Sequence, residues 1–170
     1  IVVYATTEPS DALLIGGYTA TLLEGKVIQH GKTLEVYNKP NNLDSAKVFS
    51  DPPMNIANIN KKGEICSLLA DNVTWKTNLN LRDGNYKVGI RPHNMTTYKE
   101  GKNSIEISGK VLISELSGSE SMIHFTNGDL NWVSLSEGIH QKDVGEETKL
   151  FMNSDEFLYF DNNDRLVGNV

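Results

Sequence analysis

A pair of prolines, Pro52-Pro53, divides the chain into two stretches of different periodicity. Proline interrupts both a helix and a strand ladder, so the pair marks a break in regular structure. Downstream of it, apolar residues recur at every second position. Tyr86, Val88 and Ile90 alternate with Lys87, Gly89 and Arg91, the pattern of a half-buried strand. Ile105 to Leu116, Met122 to Thr126, Leu130 to Leu135, Lys149 to Met152 and Phe157 to Phe160 read as further short strands. Turn signals separate them at Ser117-Gly118, Asn127-Gly128-Asp129, Gly138 and Asp161-Asn162-Asn163-Asp164. Short strands at this spacing predict a small barrel or sandwich and not a parallel sheet.

Upstream of the prolines the signals are mixed. The chain opens inside an apolar run, Ile1-Val2-Val3-Tyr4-Ala5, of the sort that forms a strand buried on both faces of a parallel sheet. Residues 1–6 therefore predict a strand, yet no βαβ partner strands precede it. The expectation is that this segment is the last piece of a domain whose chemistry lies upstream of Ile1. Val2, Val3 and Tyr4 then need cover, from another copy of the chain or from a short helix at Ser10–Ile15. That helix starts at Thr7-Glu8-Pro9, with Pro in its first turn, and ends at Gly16-Gly17. Tyr18 to Leu23 and Val27 to His30 predict a hairpin around Glu24-Gly25-Lys26. Thr33 reads as the cap of a helix through Tyr37 that stops at Pro40, and Asn42 to Phe49 as a second short helix.

Composition sets limits. At 170 residues the chain is long enough for a sizeable core. It is 38% apolar and 22% charged, and no stretch approaches the roughly 18 apolar residues of a membrane span, which leaves direct insertion without a carrier. The single cysteine, Cys66, excludes an intramolecular disulfide, suits a reducing compartment and reads as a small buried hydrophobe. A net charge of −6 argues against a nucleic-acid partner, whose phosphates call for Lys and Arg.

Several motifs invite a chemistry that their spacing refuses. Gly31-Lys32-Thr33 ends like a phosphate loop, but the position that needs the first glycine is Lys26, and the segment leaves a hairpin. Asp161-Asn162-Asn163-Asp164 lacks the glycine and glutamate of a calcium loop and reads as a solvated turn. His30, His93, His124 and His140 sit in separate segments without metal-ligand spacing. Trp75, Tyr86, Trp132 and Tyr159 could stack bases, but the acids Asp129, Asp155, Glu156 and Asp161 around the later two favour core roles. No nucleophile frame is present, so the sequence supplies no catalytic set of its own.

A series of segments, in order, resembles the ATPase subunits of ABC transporters. Tyr4-Ala5-Thr6-Thr7-Glu8-Pro9-Ser10-Asp11-Ala12-Leu13 is similar to the family's switch-loop segment, and Leu22 to Gly31 is similar to its M-x-x-G-x-I-x-Q-x-G. Leu34 to Pro40 resembles E-L-Y-x-x-P, and Asp51-Pro52-Pro53-Met54-Asn55 resembles G-x-P-x-M-N. Two more marks belong to the carbohydrate-importer subfamily: Val88-Gly89-Ile90-Arg91-Pro92 is similar to G-I-R-P-E, and Glu115 to Glu120 to the L-G-S-E of its regulatory domain. The resemblance implies a mainly β, OB-like (TOBE) regulatory domain over residues 52–170, preceded by an α/β remnant of the ATPase domain over residues 1–51. It implies a regulatory and dimerising portion of a subunit that energises uptake of a sugar, polyol or related solute, not catalytic by itself. The parent would use ATP and Mg, pair with a second ATPase subunit, and sit on the cytoplasmic face of the membrane through permease subunits. Arg91, Pro92, Gly118, Ser119 and Glu120 are the regulatory candidates the resemblance implies. Thr7 falls at the position of the family's switch histidine, where a hydroxyl cannot supply a cation. His93 replaces the Glu of R-P-E, so any partner for Arg91 must come from elsewhere. An alternative of a different class is a β-domain that senses a small solute or oxyanion.

Overall fold

The computed structural model describes residues 1–169. Its first residues correct the expectation of a strand. Residues 1–6 form no regular element, and Val2 and Val3 are 94% and 91% exposed. An apolar strand needs a sheet to accept its backbone groups, and none stands beside it. Nor do Val2 and Val3 lie against the first helix. Tyr4 and Thr6 do reach it, donating from their hydroxyls to Asp11 Oδ2 at 3.2 and 2.9 Å.

The next elements follow the sequence closely. Helix α1 (Pro9–Ile15) carries Pro in its first turn and stops at Gly16. Strands β1 (Tyr18–Leu23) and β2 (Lys26–Lys32) pair antiparallel around Glu24-Gly25. Helix α2 (Thr33–Asn38) corrects the capping role given to Thr33, because Lys32 occupies the cap position and Thr33 lies inside the first turn. Its hydroxyl is 2.8 Å from that of Thr19 and also reaches the Gly17 carbonyl, which holds the helix to the hairpin. In α3 (Leu43–Val48) the predicted Asn42 start holds: the Asn42 carboxamide caps the Ser45 N–H at 2.8 Å, satisfying one of the helix's unpaired donors.

Beyond the prolines the chain is almost all strand. The strands are β3 (Asn55–Lys62), β4 (Ile65–Leu68), β5 (Thr74–Lys76), β6 (Gly84–Ile90), β7 (Met95–Thr96) and β8 (Ser104–Leu116). They continue with β9 (Glu120–Asn127), β10 (Leu130–Glu137), β11 (Glu147–Asn153), β12 (Leu158–Phe160) and β13 (Leu166–Asn169). One sheet has six strands in the order β13-β12-β6-β3-β4-β5, and the other has five in the order β10-β9-β8-β11-β7. The five-stranded sheet curls until its two edges nearly meet, where Thr97 N–H donates to Ser136 Oγ at 3.1 Å. The predicted small barrel is therefore present as a nearly closed, barrel-like sheet, with the second sheet laid against it. Sequence reasoning did not place β3, β4, β5, β7 or β13. β3, Asn-Ile-Ala-Asn-Ile-Asn-Lys-Lys, is mostly Asn and Lys and lacks strict apolar alternation, and the others have at most four residues.

One apolar core serves both sheets. Ile59, Val88 and Ile90 from the six-stranded sheet meet Ile107, Ile123, Phe125 and Leu150 from the barrel. Each is fully buried, worth about 1.5–3 kcal/mol per large apolar side chain. Trp75, Trp132 and Tyr159 also lie here, as core residues and not as a stacking platform. Trp75 Nε1 donates to the Tyr159 hydroxyl at 2.8 Å, satisfying both polar tips inside. Burial pushes the Tyr159 phenol up to about 12 and the Cys66 thiol up to about 11.

A single side chain spans the two sheets. Asn55, at the start of β3, donates from Nδ2 to the Val133 carbonyl at 2.7 Å and accepts from the Val133 N–H at 2.8 Å. Its carboxamide thus pairs with β10 as a neighbouring strand would. Close behind, Gly89 keeps β6 against Met54. A Cβ at Gly89 would stand 2.6 Å from Met54 Sδ and 3.1 Å from Phe160 Cε2, so a larger residue would have to displace the Met54 side chain.

Two outcomes follow. Replacing Asn55→Ala strands both backbone groups of Val133 and should cost roughly 2–4 kcal/mol in urea-monitored unfolding. An unchanged midpoint would mean that the sheets hold without this bridge. Cys66 should resist a thiol reagent at pH 8 in the native state and react promptly in denaturant; rapid native labelling would show that the core around it opens.

Candidate functional site: the Arg91 junction and the Ser117–Glu120 turn

The period-two pattern places Arg91 just past the end of β6, where Pro92 opens a single turn of 3-10 helix through Asn94. Proline fixes the backbone angle that such a turn needs, and Arg91 is carried inward in consequence. Only 6% of its surface is exposed. A buried cation normally finds a carboxylate, but among the described residues no Asp or Glu bonds to it. Its Nη2 donates instead to the Tyr37 carbonyl at 2.6 Å, at the end of α2. Its guanidinium carbon lies 3.9 Å above the centre of the Tyr37 ring, a cation–π contact worth about 2 kcal/mol when water is excluded. Arg91 Nε makes no hydrogen bond.

Tyr37 is the hub that sequence reasoning missed. Its ring meets Phe49 edge-on at 5.9 Å, and its hydroxyl is 3.3 Å from His93 Nε2. His93, the residue that departs from the family pattern, therefore stands beside Arg91 and takes no part in neutralising it. Burial lowers the His93 pKa, and the neighbouring Arg91 charge lowers it further. Burial also presses the Arg91 pKa down, with Tyr37 and Glu156 opposing. The only forward signal for Tyr37 was its place in the Leu34–Pro40 motif.

Gln29 gives the same junction a second fastening. Its Oε1 accepts from the Asn41 N–H at 2.8 Å and the Ser45 hydroxyl at 2.6 Å, and its Nε2 donates to the Lys39 carbonyl at 3.0 Å. One carboxamide so ties the hairpin to α3 and to the segment between the helices. On the far side, the Leu43 N–H donates to the Asp164 carbonyl, the Leu166 N–H to Asn41, and Asn169 Nδ2 to Asn38. Residues 38–43 are thereby bound to β13 and its turn, while Arg91 holds residue 37.

The remaining candidates lie elsewhere. Gly118, Ser119 and Glu120 form the tip of the β8–β9 hairpin, exposed throughout. Gly118 has a φ of +92°, which glycine alone adopts without strain. The Ser117 N–H donates to the Glu120 carbonyl at 3.0 Å and the Gly138 N–H to the Ser119 carbonyl at 2.7 Å, which fixes the tip against the end of β10. No hydrogen bond or ion pair among the described residues joins this turn to Arg91 and Pro92. Thr7 is exposed on the segment leading into α1, distant in sequence from both and bonded to neither. The four histidines stay apart: His30 stacks on Tyr18, His93 meets Tyr37, His124 lies on β9, and His140 Nε2 is 2.8 Å from the Glu137 carbonyl. Asp161 Oδ1 accepts from the Asn163 and Arg165 N–H groups, which makes its segment a self-satisfied turn. An open cleft of about 840 Å³ separates Asp71–Lys76 from Lys102–Ser108, with Trp75 and Ile105 in its lining.

The junction sets a pH dependence whose sign is fixed. With its folded pKa depressed below the unfolded 6.5, neutral His93 contributes stability above pH 6.5 that is lost as pH falls through the folded value. An NMR titration should place the His93 midpoint below that of an unstructured histidine, and Arg91→Met should raise it. A midpoint at or above the free value would show that the two side chains do not feel each other.

No protein-family profile matches the chain. It is 26% identical over 168 residues to the xylose/arabinose import ATP-binding protein XacK of Haloferax volcanii, covering 94% of this chain and 43% of that protein. It is 31% identical over 161 residues to a putative ABC transporter ATP-binding protein of Mycoplasma pneumoniae, covering 94% and 27%. Against the sn-glycerol-3-phosphate import ATP-binding protein UgpC 3 of Rhizobium etli the identity is 29% over 127 residues, covering 75% and 34%. The chain spans less than half the length of each of these relatives. Gln29, Tyr37, Asn55, Gly89 and Arg91, which carry the motif resemblance, are the residues that fasten the hairpin, helices and sheets together. The chain belongs to the ATP-binding subunits of import ABC transporters, and it corresponds to the C-terminal part of such a subunit.

Proposed function

We propose that this chain is the regulatory and subunit-pairing portion of an ATP-binding subunit that energises uptake of a sugar, polyol or related solute. The carrying observation is the Arg91–Tyr37 junction, where a buried cation joins the β-domain to the helices without a carboxylate of its own. A fastening made of one carbonyl and one ring face is orientation-dependent, so a change in the β-domain alters the cost of moving the helices. The boundary between the two parts falls at residues 51 and 52. ATP and Mg bind in the portion of the subunit that this chain does not cover. A second ATPase subunit closes the dimer, and permease subunits hold the assembly at the inner membrane face. No helix among the described residues is long and apolar enough to cross a membrane itself.

In the whole subunit assembled with its permease, Arg91→Ala should lower solute-stimulated ATP hydrolysis about tenfold while nucleotide affinity stays within about twofold. Equal loss of nucleotide binding, or no loss of stimulation, would remove the regulatory reading. Thr7, at the switch-histidine position, leaves phosphoryl transfer without an imidazole, so the parent homodimer should turn over slowly and Thr7→His should raise its rate. Ordinary turnover by the unaltered homodimer would overturn the idea of a degenerate site.

The second reading, a small-solute sensor, is favoured by the cleft beside Trp75. Lys76 and Lys102 on its lining enter no ion pair among the described residues, and Asn127 Oδ1 has no hydrogen-bond donor. A melting temperature raised by a phosphorylated sugar or an oxyanion would support it, and a flat response across both would exclude it.

A further inference from the structure

Two open strand edges border the cleft beside Trp75. β5 is the last strand of its sheet, and only β4 pairs with it. The Leu68 N–H bonds the Val73 carbonyl and the Thr77 N–H the Glu64 carbonyl, so alternation turns the odd-numbered residues of β5 toward β4. The N–H and C=O of Thr74 and Lys76 then point away from the sheet. β8 is open in the same way at its start. β11 pairs with it from Ser104, but β9 only from Lys110 onward. The Ser154 N–H bonds the Asn103 carbonyl and the Val111 N–H that of Glu146, which gives the odd-numbered residues to β11. Ser104, Glu106 and Ser108 turn their backbone groups the other way. Of these groups, only the Ser108 carbonyl has a partner among the described residues, Asn127 Nδ2 at 2.6 Å. All five residues with spare groups line the one cleft. Trp75, Val73 and Ile105 line it too, from the inward side, where they pack on the core.

The two ends of the cleft differ in charge. Asn127 bonds Ser108, and a Cβ on its neighbour Gly128 would stand 3.7 Å from the Ala70 carbonyl, so the start of β5 lies at the Ser108 end. Lys76 therefore lies at the Ser104 end, with Lys102. Neither lysine enters an ion pair among the described residues. Glu106 is already paired with Lys149 at 2.8 Å, and Asp155 is held by the Asn103 carboxamide at 2.9 and 3.1 Å. Asp71 belongs to the far end, where its Oδ1 accepts from the Asn72 N–H. Walls that offer an N–H and a C=O at every second residue match another backbone, and a segment between them can pair with both. A lysine on a strand edge deters pairing in general, but it favours a strand that sets an acid beside it. A second copy offering its own β5 edge would bring Lys76 against Lys76.

We propose that this cleft is a docking slot for an extended acidic and apolar segment of another protein, about five residues long, which is ~17 Å of strand. The segment pairs with the spare backbone groups of β5 and β8. Its inward side chains are apolar and cover Trp75, Val73 and Ile105, and an outward Glu or Asp meets Lys76 and Lys102. Such a segment and a small solute would exclude each other from the cleft.

The test uses the whole 170-residue chain and three labelled peptides with blocked termini, read by fluorescence anisotropy. One is Val-Thr-Val-Glu-Val, one has Lys in place of Glu, and one has Pro in place of the central Val. The Glu peptide should bind at least about tenfold more tightly than either control, with affinity falling as salt rises. Its binding should slow amide exchange at Thr74, Lys76, Ser104, Glu106 and Ser108. Lys76→Glu reverses an exposed charge, and it should weaken the Glu peptide about tenfold and strengthen the Lys peptide. Ser104→Pro removes a spare N–H at the first residue of β8 and leaves the β11 ladder whole; it should weaken binding about tenfold. Should Ser104→Pro fail to fold, the charge reversal at Lys76 and the exchange pattern decide alone. Equal binding of the Lys or Pro peptide, protection confined to other amides, or self-association through the cleft would each overturn the proposal. So would no binding by the Glu peptide, and a melting temperature raised by a phosphorylated sugar would then assign the cleft to a solute.

Discussion

The carboxamide of Asn55 lets one sheet treat the other as its neighbour. Two sheets packed face to face share only apolar contacts, which resist separation but do not fix register. Asn55 adds a donor and an acceptor aimed at one residue of β10, and that pair is satisfied in a single alignment. Ile59, Val88 and Ile90 can then interdigitate with Ile107, Ile123 and Leu150 in one arrangement. The requirement extends backward along the chain. Met54, the residue before Asn55, lies over Gly89, where the absence of a side chain leaves room for its sulfur.

The junction with the helices uses a different economy. Arg91 is desolvated, yet it is offered a carbonyl and a ring face where an acid might be expected. Both are partial charges, and both depend on direction more steeply than an ion pair does. Burial, and then the neighbouring Arg91 charge, lower the His93 pKa and favour its neutral ring. The Gln29 network is of ordinary strength by comparison, three neutral hydrogen bonds that position α3 whatever the protonation of its neighbours.

Much of this was legible in the sequence, and the illegible parts have physical reasons. Helix α1, the hairpin, α3 and the long strands β6 and β8 to β11 followed from period and punctuation, because each is long enough or capped clearly enough to signal itself. Cys66 and the aromatics took the core positions expected of them. The opening run failed because an apolar sequence specifies burial, and burial requires a partner that periodicity cannot supply. The Lys32 cap was missed because the helix is held by tertiary bonds from Thr33 and not by its own capping side chain. Arg91 was legible as a site residue through its motif, whereas Tyr37 was not, since a ring accepting a cation leaves no charge pattern to read.

The clasp between residues 38–43 and the last strand has a mechanical meaning. A body attached at one point can swivel, at two it can turn only about the line that joins them, and at three it is fixed. The helices are held by Arg91 on one side, by the turn and strand from Asp164 to Asn169 on the other, and by Leu43 and Ala46 buried against Met54, Leu158 and Phe160 between them. They therefore have no hinge of their own, and a displacement of the six-stranded sheet carries the helices and the hairpin with it as one piece.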